Sequence, residues 1–220
     1  MLQQRLEQVE DRLAKAASRT GRSRQDITLI AVTKKFPASV IVEAYTAGLR
    51  DFGENYVQEF EGKAPECSHL EGARFHLIGH LQSNKTAKAI ELFQVIQTID
   101  STKLARRVAE QSAQPLQVMI EVKLSPEQAK SGTPPESLPE LIDAIRQHPN
   151  LTLTGLMTMP PWSDDAERSR PYFIRLRQLA EQHKLAQLSM GMSHDLETAI
   201  EEGATMVRVG TGLFGPRPKA

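Results

Sequence analysis

The chain has 220 residues, with 27 Lys plus Arg against 27 Asp plus Glu and a formal net charge of zero. That balance gives no global electrostatic reason to expect nucleic acid or an anionic membrane as partner. With 40% hydrophobic and 25% charged residues it is an ordinary globular composition, which argues against disorder. Cys67 is the one cysteine, so an internal disulfide and a multi-cysteine metal site are excluded and a reducing compartment is the simpler expectation. The charged N-terminus does not read as a signal or transit peptide. No apolar run approaches the roughly 18 residues of a membrane span. A cytoplasmic protein is expected.

The first segment places Leu2, Leu6, Val9, Leu13 and Ala16 at helical spacing. One apolar stripe over residues 1–18 predicts a helix packed on the domain, since the heptad run is too short for a coiled coil. After Gly21, short apolar runs alternate with amphipathic stretches. Predicted strands are 27–32, 49–52, 75–79, 95–99, 118–122, 153–159, 187–191 and 206–209. Several are apolar on both faces, as doubly covered strands must be. Helical patterns cover 40–47, 83–92, 101–111, 137–147, 164–183 and 193–202. Ser83, Ser101, Ser137, Asp164 and Ser193 stand at N-cap positions, and Gly48 and Gly203 at helix ends.

Eight strands in β–α alternation predict a single (β/α)8 TIM-type barrel over 27–215, preceded by an extra N-terminal helix, as one domain over 1–220. The rival is an open doubly wound sheet. It is weakened by the absence of G-x-G-x-x-G after the first strand.

A barrel gathers its chemistry at the C-terminal ends of its strands. Strand one ends in Thr33-Lys34-Lys35. A lysine at a barrel mouth can lose its charge by desolvation, as Schiff-base chemistry requires. Lys35 should point away from Lys34, because strand side chains alternate. Spacing alone favours the plainer reading, a solvated lysine closing the strand. Gly210-Thr211-Gly212 after strand eight has the composition of a phosphate cradle, and Ser193 adds a hydroxyl from the neighbouring loop. A simple turn and an N-cap are the plain alternatives. Arg208 lies within an apolar strand and needs a partner, either a carboxylate or a ligand acceptor. His76, Ile78 and His80 share one strand face at alternate positions and, with Asn55, could line the mouth. Histidine spacing gives no metal motif.

Taken together, these strand ends resemble one family. Ala31-Val32-Thr33-Lys34, Gly53-Glu54-Asn55-Tyr56-Val57-Gln58-Glu59, His76-Leu77-Ile78-Gly79-His80, Gly155-Leu156-Met157-Thr158-Met159, Ser189-Met190-Gly191-Met192-Ser193 and Val207-Arg208-Val209-Gly210-Thr211-Gly212 match the pattern of the pyridoxal phosphate homeostasis proteins. These are similar to the barrel domain of alanine racemase. The resemblance spans nearly the whole chain. It implies that Lys34 carries pyridoxal 5′-phosphate (PLP) as a Schiff base. It further implies that Ser193, Gly210 and Thr211 hold the phosphate, that Arg208 faces the pyridine nitrogen and that Asn55 lies near the cofactor. The family is associated with vitamin B6 balance and indirectly with amino-acid metabolism, without an established catalytic turnover. The expected role is therefore to carry or buffer PLP, as a monomer, with no metal, nucleic acid or membrane partner. A PLP-dependent amino-acid racemase and a Schiff-base aldolase without PLP are the alternatives. Two positions depart from the pattern: Lys123 stands where Asn is usual, and Gly212 where Ala is common.

Overall fold

A computed structural model describes residues 1–125 and 131–216. In chain order it contains α1 (Leu2–Arg19), β1 (Thr28–Val32), α2 (Ala38–Thr46), β2 (Asp51–Glu54), α3 (Val57–Cys67), β3 (Arg74–Leu77), α4 (Thr86–Leu92), β4 (Val95–Ile99), α5 (Thr102–Gln111), β5 (Leu116–Glu121), α6 (Leu138–Arg146), β6 (Leu151–Met157), α7 (Arg170–Gln182), β7 (Gln187–Met192), α8 (Leu196–Glu201), β8 (Met206–Val209) and α9 (Thr211–Phe214). All neighbouring strands pair in parallel, and β1 pairs with both β2 and β8. The sheet is therefore closed, and the open doubly wound alternative does not hold.

The α1 stripe is buried as expected: Leu2, Leu6, Val9, Leu13 and Ala16 all pack inward. Arg12 fixes the helix to α8 through a two-pronged contact with Glu197 at 2.6 and 2.7 Å, and its Nη2 donates to the Ser193 carbonyl at 3.0 Å. The extra helix thus reaches the base of the loop after β7.

Most strands follow the expected runs, with β4 and β8 matching their predicted bounds. Strand β2 begins two residues later than expected, and α3 is a helix where the sequence shows no clear helical pattern. Gly62 and Pro65 inside α3 suppress its helical signal, since both are poor helix formers. Ser101 caps α5, with its side chain accepting the Leu104 N–H. Ser83 and Ser193 are not caps: the four residues of Ser193–Leu196 enter α8 through Asp195, whose Oδ1 accepts the Met192 N–H at 2.7 Å. Gly48 and Gly203 take φ of 102° and 96° after α2 and α8, as helix-ending glycines do.

Two buried layers surround the strands. The larger lies between barrel and helices. A small apolar cluster of Ile30, Met119 and Met206 fills part of the barrel interior. The interior is tight near the mouth: a Cβ on Gly53 would stand 2.9 Å from both Ile30 and Ile78 side chains. Polar side chains share the interior: His76, Gln97, Ser189 and Arg208 are all buried.

Candidate functional site at the barrel mouth

The C-terminal strand ends form a cavity of about 320 Å³. Lys34, Asn55, Ser193, Arg208, Gly210 and Thr211 all line it. These six residues are brought to one place, at the ends of β1, β2, β7 and β8. Met159, Trp162, Met192 and His194, which the sequence does not mark as site residues, complete the walls with Val32 and Ile78. Met159, Met192 and His194 lie inside or beside the quoted motifs, but apolar and loop residues carry no chemical signature that marks a wall. Trp162 is 75% exposed and stands at the lip.

Lys34 and Lys35 follow the strand and do not belong to it, because β1 ends at Val32. Strand alternation is therefore not what separates them. Lys34 sits in a turn and is half-buried, while Lys35 is exposed with a left-handed φ of 66°. A non-glycine residue there is held by its surroundings. The Lys35 N–H donates to Glu59 Oε1. Lys63 Nζ, nearly buried, donates to the same Glu59 oxygen at 2.6 Å, to Glu54 Oε1 at 2.9 Å and to the Thr33 carbonyl at 3.1 Å. Thr33 Oγ1 also donates to Glu54 Oε1, at 2.8 Å. Burial holds the Glu54 carboxyl above the ordinary carboxylate range, against the attraction and hydrogen bonds of Lys63. The turn that presents Lys34 is thus tied from below by α3.

Across the cavity, Gly212 N–H donates to Ser193 Oγ at 3.1 Å, and Thr211 Oγ1 lies 3.4 Å from the same oxygen. Two hydroxyls and the backbone at Gly210 face one point of the cavity wall. A Cβ on Gly212 would meet Val209 Cγ1 at 2.9 Å, with Ser193 Oγ at 3.4 Å. Glycine here spares a clash with Val209 at the end of its own strand, while Ser193 of the neighbouring loop would remain at van der Waals distance. Asn55 Oδ1 is buried and has no hydrogen-bond partner among the described residues. Such an orphan acceptor at a cavity wall is an unfilled demand for a donor. Its loop is fixed by close packing, since a Cβ on Gly79 would stand 2.2 Å from the Asn55 carbonyl oxygen.

Arg208 is 3% exposed. Nη1 donates to Ser189 Oγ at 2.7 Å and Nη2 to the Thr158 carbonyl at 2.9 Å. Burial pulls the guanidinium down to about 10, and the charges of Asp195 and Glu121 oppose that. His76 and His80 do not share a strand face, because β3 ends at Leu77. His76 lies buried beneath the mouth, with Nε2 2.8 Å from Asp51. His80 is exposed and pairs with Asp100 at 3.4 Å. Neither lines the cavity that holds Lys34. Among the described residues no cluster of metal-ligating side chains occurs.

A second cavity of about 540 Å³ adjoins the first and shares Met159, Trp162 and Met192 with it. Lys123 lines this one, not the one with Lys34, beside Glu121. Burial raises the Glu121 carboxyl, while a hydrogen bond from Ser131 at 3.1 Å opposes the rise.

The profile of the alanine racemase N-terminal domain matches residues 5–218. The fold and mouth thus define a barrel of that class. A pyridoxal phosphate homeostasis protein of Pseudomonas aeruginosa is 47% identical over 214 residues, covering 95% of this chain and 93% of the relative. The chain belongs to the pyridoxal phosphate homeostasis protein family. Among solved structures, Synechococcus elongatus PipY with PLP bound superimposes with a TM-score of 0.84 at 37% identity, covering 98% of this chain and all of PipY. Corynebacterium glutamicum alanine racemase, at 19% identity and a TM-score of 0.69 over 98% of this chain and 62% of the enzyme, shares the barrel fold.

Proposed function

We propose that this chain binds PLP covalently at Lys34 Nζ and carries or buffers it, serving vitamin B6 homeostasis and indirectly amino-acid metabolism. One observation carries the reading: an amine, two hydroxyls with a glycine backbone, a buried guanidinium and an orphan amide oxygen line a single cavity. These groups match the cofactor one for one. Lys34 meets its aldehyde. Ser193, Thr211 and the Gly210 backbone hold its phosphate with charge-assisted hydrogen bonds. Arg208 faces the pyridine nitrogen, and Asn55 lies beside the ring. When bound, the cofactor supplies an aldehyde that takes up amines and a ring that withdraws electrons.

The chain's own residues favour holding over turnover. Arg208 keeps its charge and offers only N–H donors, so a ring nitrogen facing it stays unprotonated and withdraws electrons weakly. The family and the PLP-bound relative support this reading over a PLP-free aldolase. We read the chain as one domain and as a monomer. The large apolar side chains exposed among the described residues are Met1, Tyr56 and Trp162, too few for a broad apolar dimer face. A cytoplasmic setting agrees with the buried free thiol of Cys67 and with the lack of any described helix long and apolar enough to cross a membrane.

The test is an absorption titration of the chain with PLP, followed by hydroxylamine. Wild type should gain a visible band that Lys34→Ala does not, and hydroxylamine should release the cofactor readily. A band that persists in Lys34→Ala would contradict attachment there. A cofactor that resists hydroxylamine for days would contradict a carrier.

A further inference from the structure

The polar interior of the barrel is one continuous chain of hydrogen bonds from the mouth to the opposite rim. Arg208 Nη1 donates to Ser189 Oγ at 2.7 Å, and Ser189 Oγ donates to Gln97 Oε1 at 2.6 Å. Gln97 Nε2 lies 3.1 Å from His76 Nδ1, and His76 Nε2 lies 2.8 Å from Asp51 Oδ1. Arg74 closes the far end on the same Asp51 oxygen at 2.8 Å. The chain passes through β8, β7, β4, β3 and β2. Ser189, Gln97 and His76 are all fully buried.

Only one set of donor and acceptor roles satisfies it. A guanidinium cannot accept, so Ser189 accepts from Arg208 and must donate onward. Gln97 therefore presents its oxygen to Ser189 and its nitrogen to His76. His76 Nδ1 then carries no proton, and Nε2–H donates to the Asp51 carboxylate. The other N–H of Gln97 points to Met206 Sδ at 3.7 Å, which fixes the amide from a second side. The bond dipoles all run the same way, from the Arg208 cation to the Asp51 anion, an arrangement in which each bond strengthens the next.

Barrels of this type ordinarily fill their interior with branched apolar side chains. Buried polar groups cost stability unless every member is satisfied. Here all are, and the satisfied chain leads to a residue of the site. Among the described residues no carboxylate lies within ion-pair distance of Arg208; its acceptors are Ser189 and the Thr158 carbonyl.

We propose that Ser189, Gln97, His76 and Asp51 are positioning residues for Arg208. They lock the guanidinium toward the cavity, so that recognition of the ligand's ring nitrogen depends on side chains across the barrel. The proposal rests on the reading that Arg208 faces that nitrogen.

The experiment compares equilibrium binding of PLP with that of its 1-deaza analogue, in which a C–H replaces the ring nitrogen. The chains are wild type, Ser189→Ala, Gln97→Leu and Asp51→Asn. Wild type should prefer PLP. Ser189→Ala and Gln97→Leu should each lose about tenfold or more of that preference, the scale of one hydrogen bond to a charged group. Asp51→Asn should move it less, in the same direction. A purely structural role would weaken both ligands equally and leave the ratio at its wild-type value, which would overturn the relay while the cofactor reading stands. Ser189→Ala removes a single oxygen, so it decides the matter even where Gln97→Leu fails to fold. A wild type that binds PLP at Lys34 with no preference over the analogue overturns the placement of Arg208 and the relay together.

Discussion

Lys63→Met removes the one cation from the buried cluster under the Lys34 turn. In the folded protein Glu54 is fully buried and the Lys63 side chain is 9% exposed, so solvent screening does not dilute their pairing. Deleting one partner of a buried pair costs about 3–5 kcal/mol, because the other charge is left behind. Glu59 is a quarter exposed and adds little. Glu54 already sits above the ordinary carboxylate range and can relieve the loss by taking a proton, so the expected cost at neutral pH is about 3 kcal/mol, the low end. For a chain of this size that is roughly 6–12 °C in melting temperature. The sign with pH follows from the same carboxyl. Without Lys63 its folded pKa rises further above the ordinary glutamate value of about 4.3, while its unfolded value is unchanged. The destabilisation is therefore small below that value and grows as pH rises through the folded pKa. Guanidinium chloride unfolding at several pH values measures this. Adding Glu54→Gln to Lys63→Met should recover about 1–3 kcal/mol, as coupled neighbours do. A pH-independent loss under about 1 kcal/mol, the scale of a surface pair, would refute the cluster as the anchor of the turn.

The phosphate contacts predict that Ser193→Ala combined with Thr211→Val weakens PLP at least about a hundredfold, since charge-assisted bonds contribute roughly 1.5–3 kcal/mol each. Pyridoxal, lacking the phosphate, should be nearly unaffected; equal losses for both ligands in a titration would misplace the cradle. Glu121→Gln should raise the melting temperature at pH 7–8 and leave it unchanged near pH 4, because a carboxyl raised by burial loses its contribution as pH climbs. A pH-independent difference between the two melting curves would contradict this. Gly79→Ala should destabilise strongly and displace the Asn55 loop, since its Cβ would stand 2.2 Å from the Asn55 carbonyl oxygen. A crystal structure of that variant with Asn55 unmoved would show the packing to be looser than described.

The barrel was legible because β–α alternation is a one-dimensional signal, and β4 and β8 are clean apolar runs with polar flanks. Strand β2 slipped because Gly53 and Glu54 do not look like strand, although Glu54 is buried against Lys63. Helix α3 was lost to Gly62 and Pro65. The mouth residues were legible through strand ends and family motifs. Their roles were less so. Ser193 read as a possible cap, yet it faces Gly212 across the gap between two strands, and Asp195 receives the Met192 N–H instead. The relay from Arg208 to Asp51 could not be read at all, because it joins residues up to 157 positions apart through a strand register that only closure of the barrel sets.

Reduction of the PLP-loaded protein with borohydride, followed by digestion and mass spectrometry, tests the central claim most directly. The account predicts a pyridoxyl group on Lys34, the half-buried lysine of the cavity. An adduct found mainly on Lys35, the exposed neighbour with its left-handed backbone, or spread evenly over surface lysines, would contradict it.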